Sequence, residues 1–460
     1  MVIAAAASNP LSQLLIVVPV VILASGLGAW AVRRFGQPAV VGEIAVGICL
    51  GPSLLGLVWP GLQHRLFPAG ILPFIGALGD LGLLAFMFLV GLALNLGLLR
   101  GHSRTAVAVS QMSIALPLVL GSALALGMYG TFAPAGVDKL PFVLFIAVSM
   151  SITAFPVLAR ILTERDLYRT RTGAVAMACA AVDDVTAWCL LAVVVAVTSS
   201  SSPMAALVTV GLSVLYMLVM LYVVRPLLAR WVARAERKWS DSAVLIVLFT
   251  GLCLSALATE EIGVHALFGA FVFGTMVPRD SPAVERAAAR LQAVAVPILL
   301  PLFFVSTGLK TDLAVLVRSG EQWLWALAVM AVAVTGKWGG GSVAARLSGQ
   351  RWRESLAIGA LMNCRGLTEL VVLNIGLSLG VIGTDLFTIL VVMALVTTAM
   401  TSPLLTRILG PQPPVRRSAG VRGRNPLRPR RGGPDRPFQG TGGDRVGVAR
   451  QGVRVSRWFG

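Results

Sequence analysis

Residues 177–191 read MACAAVDDVTAWCLL, an apolar run of helical length with two adjacent acids, Asp183 and Asp184, near its middle. A carboxylate at the centre of a bilayer costs about 3 kcal/mol on insertion scales. Two side by side cost more unless one is neutral or paired. A chain keeps such a pair where it faces a wet cavity, a counter-charge or a bound cation. The alternative is a soluble core helix with a buried acid pair, and composition decides between the two. Of 460 residues, 57% are hydrophobic and 13% are charged. Soluble domains carry about 25% charged residues. The chain therefore reads as an all-α polytopic membrane protein, with Met177–Leu191 inside one of its spans.

Thirteen apolar runs approach the roughly 20 residues a spanning helix needs. They cover 11–31, 37–58, 70–98, 104–128, 140–160, 172–198, 204–224, 242–259, 262–278, 291–309, 322–345, 354–378 and 384–408. The opening MVIAAAASNP lacks the basic stretch of a cleaved signal, so the first run is expected to stay as a span. The connections test the count. Odd-numbered ones carry nineteen Lys and Arg, among them Arg33, Arg160, Arg230 and Arg290, whereas even-numbered ones carry four. Basic residues favour the cytoplasmic side, so the N-terminus is expected outside and the C-terminus inside. Two units follow: a transmembrane domain over 1–410 and a basic tail over 411–460. The tail holds +10 of the net charge of +18, in twelve Arg and two Asp, and is expected to be disordered. The charge is thus a topology signal and implies no nucleic-acid partner. The five cysteines all lie in apolar runs without a C-x-x-C, and read as small hydrophobes.

Few ionisable groups remain deep in the spans: Glu43, Asp80, Asp183, Asp184, Lys337, Arg365 and Glu369, with His265 near the start of the ninth. Adjacent helix positions differ by about 100°, so Asp183 and Asp184 point different ways. One can meet a counter-charge while the other faces a cavity. Lys337 sits at a similar depth and is the natural counter-charge. Arg365 and Glu369 are spaced to pair on one helix face, and that pair can be wholly structural. Glu43 and Asp80 can be ordinary packed acids.

Two spans look interrupted. The fifth holds Ser149, Ser151, Thr153 and Pro156; the proline removes a helical hydrogen bond and frees the carbonyl near Ile152. The twelfth holds Asn363, Gly366, Thr368 and Asn374. Interrupted helices in corresponding halves mark a transporter's ion site. The two are seven spans apart, an odd offset that reverses orientation. Two inverted six-span repeats joined by the seventh span account for this.

These residues resemble a known family, the monovalent cation:proton antiporters, specifically cation:proton antiporter family 2, the membrane domain of sodium/hydrogen exchangers. The strings that carry the resemblance are VVGEIAVGICLGPSLLG at 40–56, SITAFPVLARIL at 151–162, AAVDDVTAW at 180–188, PLFFVSTGL at 301–309, TGKWGG at 335–340 and LMNCRGLTELVVLNIG at 361–376. The resemblance implies about 13 helices in two inverted repeats, with two interrupted helices crossing near the midplane. It also implies a core bundle moving against a dimer-forming one, hence a homodimer in a cell membrane. By the same resemblance Asp184 looks like the acid that holds cation and proton in turn. Asp183 looks like its partner, Lys337 like the lysine paired with it, and Thr153 like a neighbour of the cation. Arg365 and Glu369 look like the polar pair of the second interrupted helix. One departure is Asp183 itself: sequences with the SITAFPVLARIL string often carry Asn there.

The expected activity is exchange of Na+ or K+ for protons by alternating access, with no cofactor beyond the transported ions and with lipid as the surrounding partner. Arrival of a cation would draw Asp183 into the site and leave Lys337 without its counter-charge, disposed to release a proton. A cation channel, or an ion-coupled organic anion transporter on a similar fold, is the alternative. An intramembrane aspartyl protease needs its two acids on different helices, whereas these are adjacent.

Overall fold

The computed structural model describes residues 9–93, 103–165, 167, 170–199, 203–238, 240–318 and 320–410. The tail 411–460 lies outside them, as do Arg100 and Arg169. The described residues are helical, with twelve helices long and apolar enough to cross a membrane and one shorter apolar helix.

One bundle is built from the start and the middle of the chain. It contains α1 (Pro10–Arg33), α2 (Ala39–Leu50) and α3 (Leu72–Ala93). The second bundle begins with α4 (Ser103–Phe132), α5 (Lys139–Ser151), α6 (Phe155–Glu164) and α7 (Arg171–Ser199). A linker follows: α8 (Pro203–Val219), a π-helical turn over Met220–Val224, and α9 (Arg225–Lys238). The chain then returns to the first bundle with α10 (Asp241–Ile262), α11 (Ala266–Met276), α12 (Pro282–Val294) and α13 (Leu300–Leu309). It completes the second with α14 (Gly320–Val334), α15 (Gly340–Leu347), α16 (Trp352–Met362), α17 (Leu367–Ser378) and α18 (Thr384–Leu409). Packing defines the division. In the first bundle α3 lies against α11 and α13, α2 against α1 and α13, and α10 against α11 and α12. In the second, α4 lies against α5, α7 and α15, and α16 against α15 and α18. Between them α2 touches α18, and α8 contacts α7 and α10.

Two spans differ from the hydropathy reading. The ninth run is a helix of 11 residues, about 16 Å long at 1.5 Å per residue and short of the ~30 Å hydrocarbon core. Nine of its residues are buried, so protein rather than lipid surrounds it. The tenth begins at Pro282, nine residues before the apolar run at 291. Its first turns bury Ala283, Val284, Ala287 and Ala288 on one face and carry Glu285, Arg286 and Arg290 on the other, which an average over the run cannot see. Arg286 Nε and Arg290 donate to Asp241 at 2.9 and 3.1 Å and tie α12 to α10.

The fifth and twelfth spans are interrupted. Helix α5 stops at Ser151, where Ile152 turns extended, and α6 starts at Phe155. Pro156 thereby falls in the first turn of α6, where a missing N–H leaves no bond unmade. Helix α16 stops at Met362 and α17 starts at Leu367. Gly366 turns the chain between them at φ 152°, which side chains rarely adopt, and a Cβ there would meet Val157 at 2.8 Å. The breaks touch: Ala154 N–H donates to the Cys364 carbonyl at 3.0 Å.

Candidate functional site

The site forms where the two breaks face the middle of α7. Asp183 and Asp184 are both fully buried. Their surroundings differ completely.

Asp183 is saturated. Lys337 Nζ lies 3.1 Å from its Oδ2. Ser110 donates to Oδ1, and Ser113 Oγ lies 3.3 Å from Oδ2. Thr153 Oγ1, in the first break, lies 2.8 Å from Oδ2 and 3.1 Å from the Met362 carbonyl at the second. A hydroxyl has one proton, so Thr153 serves the carboxylate or the carbonyl, not both at once. Lys337 donates to Thr153 Oγ1 at 2.6 Å and to Ser113 Oγ at 3.2 Å. All three lysine donors are thus engaged, as a fully buried ammonium requires. Lys337 stands in a π-helical turn, Thr335–Gly339, which fits the tendency of such turns to occur at functional sites. Gly336 beside it packs on Pro117, where a Cβ would come within 3.1 Å, so α4 and Ser113 can approach the lysine.

Asp184 is bare. Neither of its carboxylate oxygens has a hydrogen-bond partner among the described residues, and neither has the Trp188 indole N–H one turn on. Buried polar atoms are nearly always paired. A fully buried carboxylate with two oxygens outside any hydrogen bond has the chemistry to take up a proton or a cation.

Arg365 and Glu369 brace the crossing. Their side chains pair at 3.1 Å, both fully buried. Arg365 also donates to the Ser149 carbonyl at 3.0 Å and to the Met150 carbonyl, while Ser149 Oγ donates to Glu369 at 2.6 Å. Ser149 and Met150 lie in the last turn of α5, where carbonyls run short of intrahelical partners; the Ser149 carbonyl also accepts from the Ile152 N–H at 3.4 Å. The guanidinium completes them. Thr398 on α18 donates to the Arg365 carbonyl at 2.7 Å.

Glu43 and Asp80 stand apart from this cluster. A cavity of about 220 Å³ separates the bundles, lined by Glu43, Arg33 and Phe304 of the first and by Pro156, Arg160 and Leu367 of the second. Arg33 and Arg160 place it at the end that carries the arginine-rich connections, and Pro156 and Leu367 carry it to the breaks. Asp80 lines a separate cavity at the opposite end, with Ser306 and Lys310. His265 caps α11, its Nδ1 accepting from Leu267 N–H at 3.4 Å.

The residues that the sequence reading missed are Ser110 and Ser113; Ser149 is singled out there as part of the interrupted span, but not as a partner of Glu369. The signal for the first two is a pair of hydroxyls three apart, on one face of an apolar helix. Among the described residues no three His, Cys, Asp or Glu side chains cluster as metal ligands.

Residues 20–409 match the model of the family described as sodium/hydrogen exchanger, transmembrane. The chain is 42% identical over 380 residues to the Na(+)/H(+) antiporter NhaS4 of Synechocystis sp., covering 82% of this chain and 92% of that protein. It is 34% identical over 407 residues to the K(+)/H(+) antiporter 1 of Saccharomyces cerevisiae, covering 86% of this chain and 46% of that one. It thus spans nearly all of the first relative and about half of the second. Among solved structures, the sodium proton antiporter MjNhaP1 from Methanocaldococcus jannaschii shares the fold. Its TM-score is 0.61 at 14% identity, over 87% of this chain and 98% of that one.

Proposed function

The chain belongs to the sodium/hydrogen exchanger family, and from that membership we propose that Asp184 is the site that the two exchanged ions share. The protein is an integral multi-pass membrane protein, and it exchanges a monovalent cation for protons. The relatives named above are transporters, and we read this chain as a transporter without catalytic chemistry of its own.

The observation that carries the assignment is the bare carboxylate of Asp184 beside a saturated Asp183. A carboxylate can hold a proton or a partly dehydrated cation, and either one excludes the other. If the second bundle crosses only when Asp184 is neutralised, each crossing must carry one of the two, and exchange is enforced. Thr153 and the backbone carbonyls at the breaks are oxygen ligands of the kind a monovalent cation takes. Lys337 holds Asp183 while the site lacks a cation. A cation that recruits Asp183 strips the lysine of its counter-charge, and the proton it then sheds is carried in the opposite direction. The cavity lined by Glu43, Arg33 and Arg160 is the access path in this conformation. The excess of basic residues at that end supports a cytoplasmic position for it, with the N-terminus outside and the C-terminus inside. Lipid contacts the outer faces of both bundles. A homodimer through the first bundle fits the exposed leucines of α1, among them Leu15, Leu23 and Leu27.

The test is dequenching of a pH-sensitive dye in proteoliposomes with Na+, K+ and Li+, with and without an imposed potential. Wild type responds to at least one of these ions, and Asp184→Asn responds to none. Retained pH-dependent exchange in Asp184→Asn sinks the assignment.

A further inference from the structure

Away from the site, three hydrogen bonds join the two bundles at the end opposite the arginine-rich connections. Lys310 Nζ, just past α13, donates to Asn374 Oδ1 on α17 at 3.1 Å. Asn374 Nδ2 donates to Thr307 Oγ1 on α13 at 2.9 Å. Asp312 N–H, in the connection after α13, donates to Thr388 Oγ1 on α18 at 3.2 Å. Thr307 and Thr388 are buried there. At the arginine-rich end a cavity separates the same bundles. Any motion that opens the joined end must break all three bonds. Asn374 has a second tie to its own bundle, donating to the Leu370 carbonyl at 2.9 Å, so it travels with α17.

Lys310 does not travel with it, being fixed to α13. It shares the wall of a cavity of about 550 Å³ with Asp80 of α3, which belongs to its own bundle. The two lie within electrostatic reach of each other. Lys310 and Asp80 are both exposed, and the Asp80 carboxylate is the charged group beside the ammonium that can take it up once the amide oxygen is lost.

We propose that Lys310 is a two-position latch for the exchange cycle: bound to Asn374 it holds this end closed, and bound to Asp80 it holds this end open. Lys310, Asn374 and Asp80 are positioning residues that touch neither transported ion. The partition is reciprocal. Removing the Asn374 contact favours the open arrangement, and removing Asp80 favours the closed one. A merely structural clasp lacks the second half of this pattern.

The Asp312 amide reports the latch directly, because its proton is given across the joint to Thr388. Hydrogen–deuterium exchange followed by mass spectrometry on the full chain in lipid nanodiscs reads it in the segment 310–316. Lys310→Met raises exchange in that segment by roughly fivefold, and Asn374→Ala does the same from the other bundle. Asp80→Asn lowers it. The segment 282–294, at the other end of the same span, stays unchanged in all three. Because Asn374→Ala leaves the lysine in place, it carries the test if Lys310→Met does not fold. Unchanged exchange in Asn374→Ala overturns the proposal, and so does acceleration in Asp80→Asn. The inference rests on alternating access in the exchange reading. Its readout needs no transport, so failure of the latch and failure of Asp184 as the shared site are seen separately.

Discussion

The two faces of α7 at Asp183 and Asp184 make a controlled comparison: same residue type, same depth, same complete burial, adjacent in sequence. A rotation of about 100° separates a carboxylate met by one ammonium and three hydroxyls from one that makes no hydrogen bond among the described residues and has the Trp188 indole beside it. Burial alone therefore does not distinguish the two acids; the missing partner does, and on it rests the proposal that Asp184 is the shared site. The saturated acid anchors α7 to α4, to the π-helical turn and to the first break. In the proposed reading the bare acid is the one the ions reach first.

The sharpest way to break the comparison is to exchange the losses. Asp184→Asn abolishes cation-driven proton movement, a fall of at least about 100-fold in initial rate, while thermal stability in detergent is kept or raised, since a buried unpaired charge is removed. Asp183→Asn has the opposite profile. It retains measurable exchange and loses stability, because Lys337 remains buried without its charge partner. Equal loss of exchange in both variants would erase the division of roles.

Lys337→Gln strips the other side of the pair. Breaking a buried ion pair costs about 3–5 kcal/mol, so the unfolding midpoint falls, and the current driven by an imposed potential changes more than electroneutral flux does. Adding Asp183→Asn recovers part of the lost stability; a double variant as unstable as the two single losses added together contradicts the pairing. Arg365→Gln belongs to the same size class. It leaves the Ser149 and Met150 carbonyls and Glu369 short of a donor, so its main effect is on stability and yield.

Smaller effects sharpen the picture. Ser110→Ala and Ser113→Ala each remove one hydroxyl from Asp183, and hydrogen bonds to charged groups contribute about 1.5–3 kcal/mol. Each variant lowers the melting point and leaves cation selectivity as it was. A changed ion preference would place the serines on the ions rather than on Asp183.

Much of this is legible in the sequence, for physical reasons that also mark where legibility stops. The spans announce themselves because lipid demands long apolar runs, and the acids, Lys337 and Arg365 stand out because each is expensive inside them. Depth alone matches Lys337 to Asp183. Ser110 and Ser113, and the bond from Ser149 to Glu369, stay hidden because a serine in a membrane helix bonds its own backbone cheaply, and only the neighbouring helix decides otherwise. The π-helical turn at Lys337 and the start of α12 at Pro282 are hidden for related reasons. The first is a register change that packing against Pro117 imposes, and the second is an amphipathic surface whose average looks polar. The latch at Lys310 depends on a contact between residues 64 apart, which no local pattern reports.

The central claim, that one carboxylate serves two ions in turn, is tested most directly by the apparent cation KM of wild-type proteoliposomes across pH. Protons compete for Asp184, so acidification raises the apparent KM, by up to about tenfold per pH unit, while saturating cation restores the same maximal rate. A maximal rate that falls with acidification while the KM stays constant contradicts a shared site.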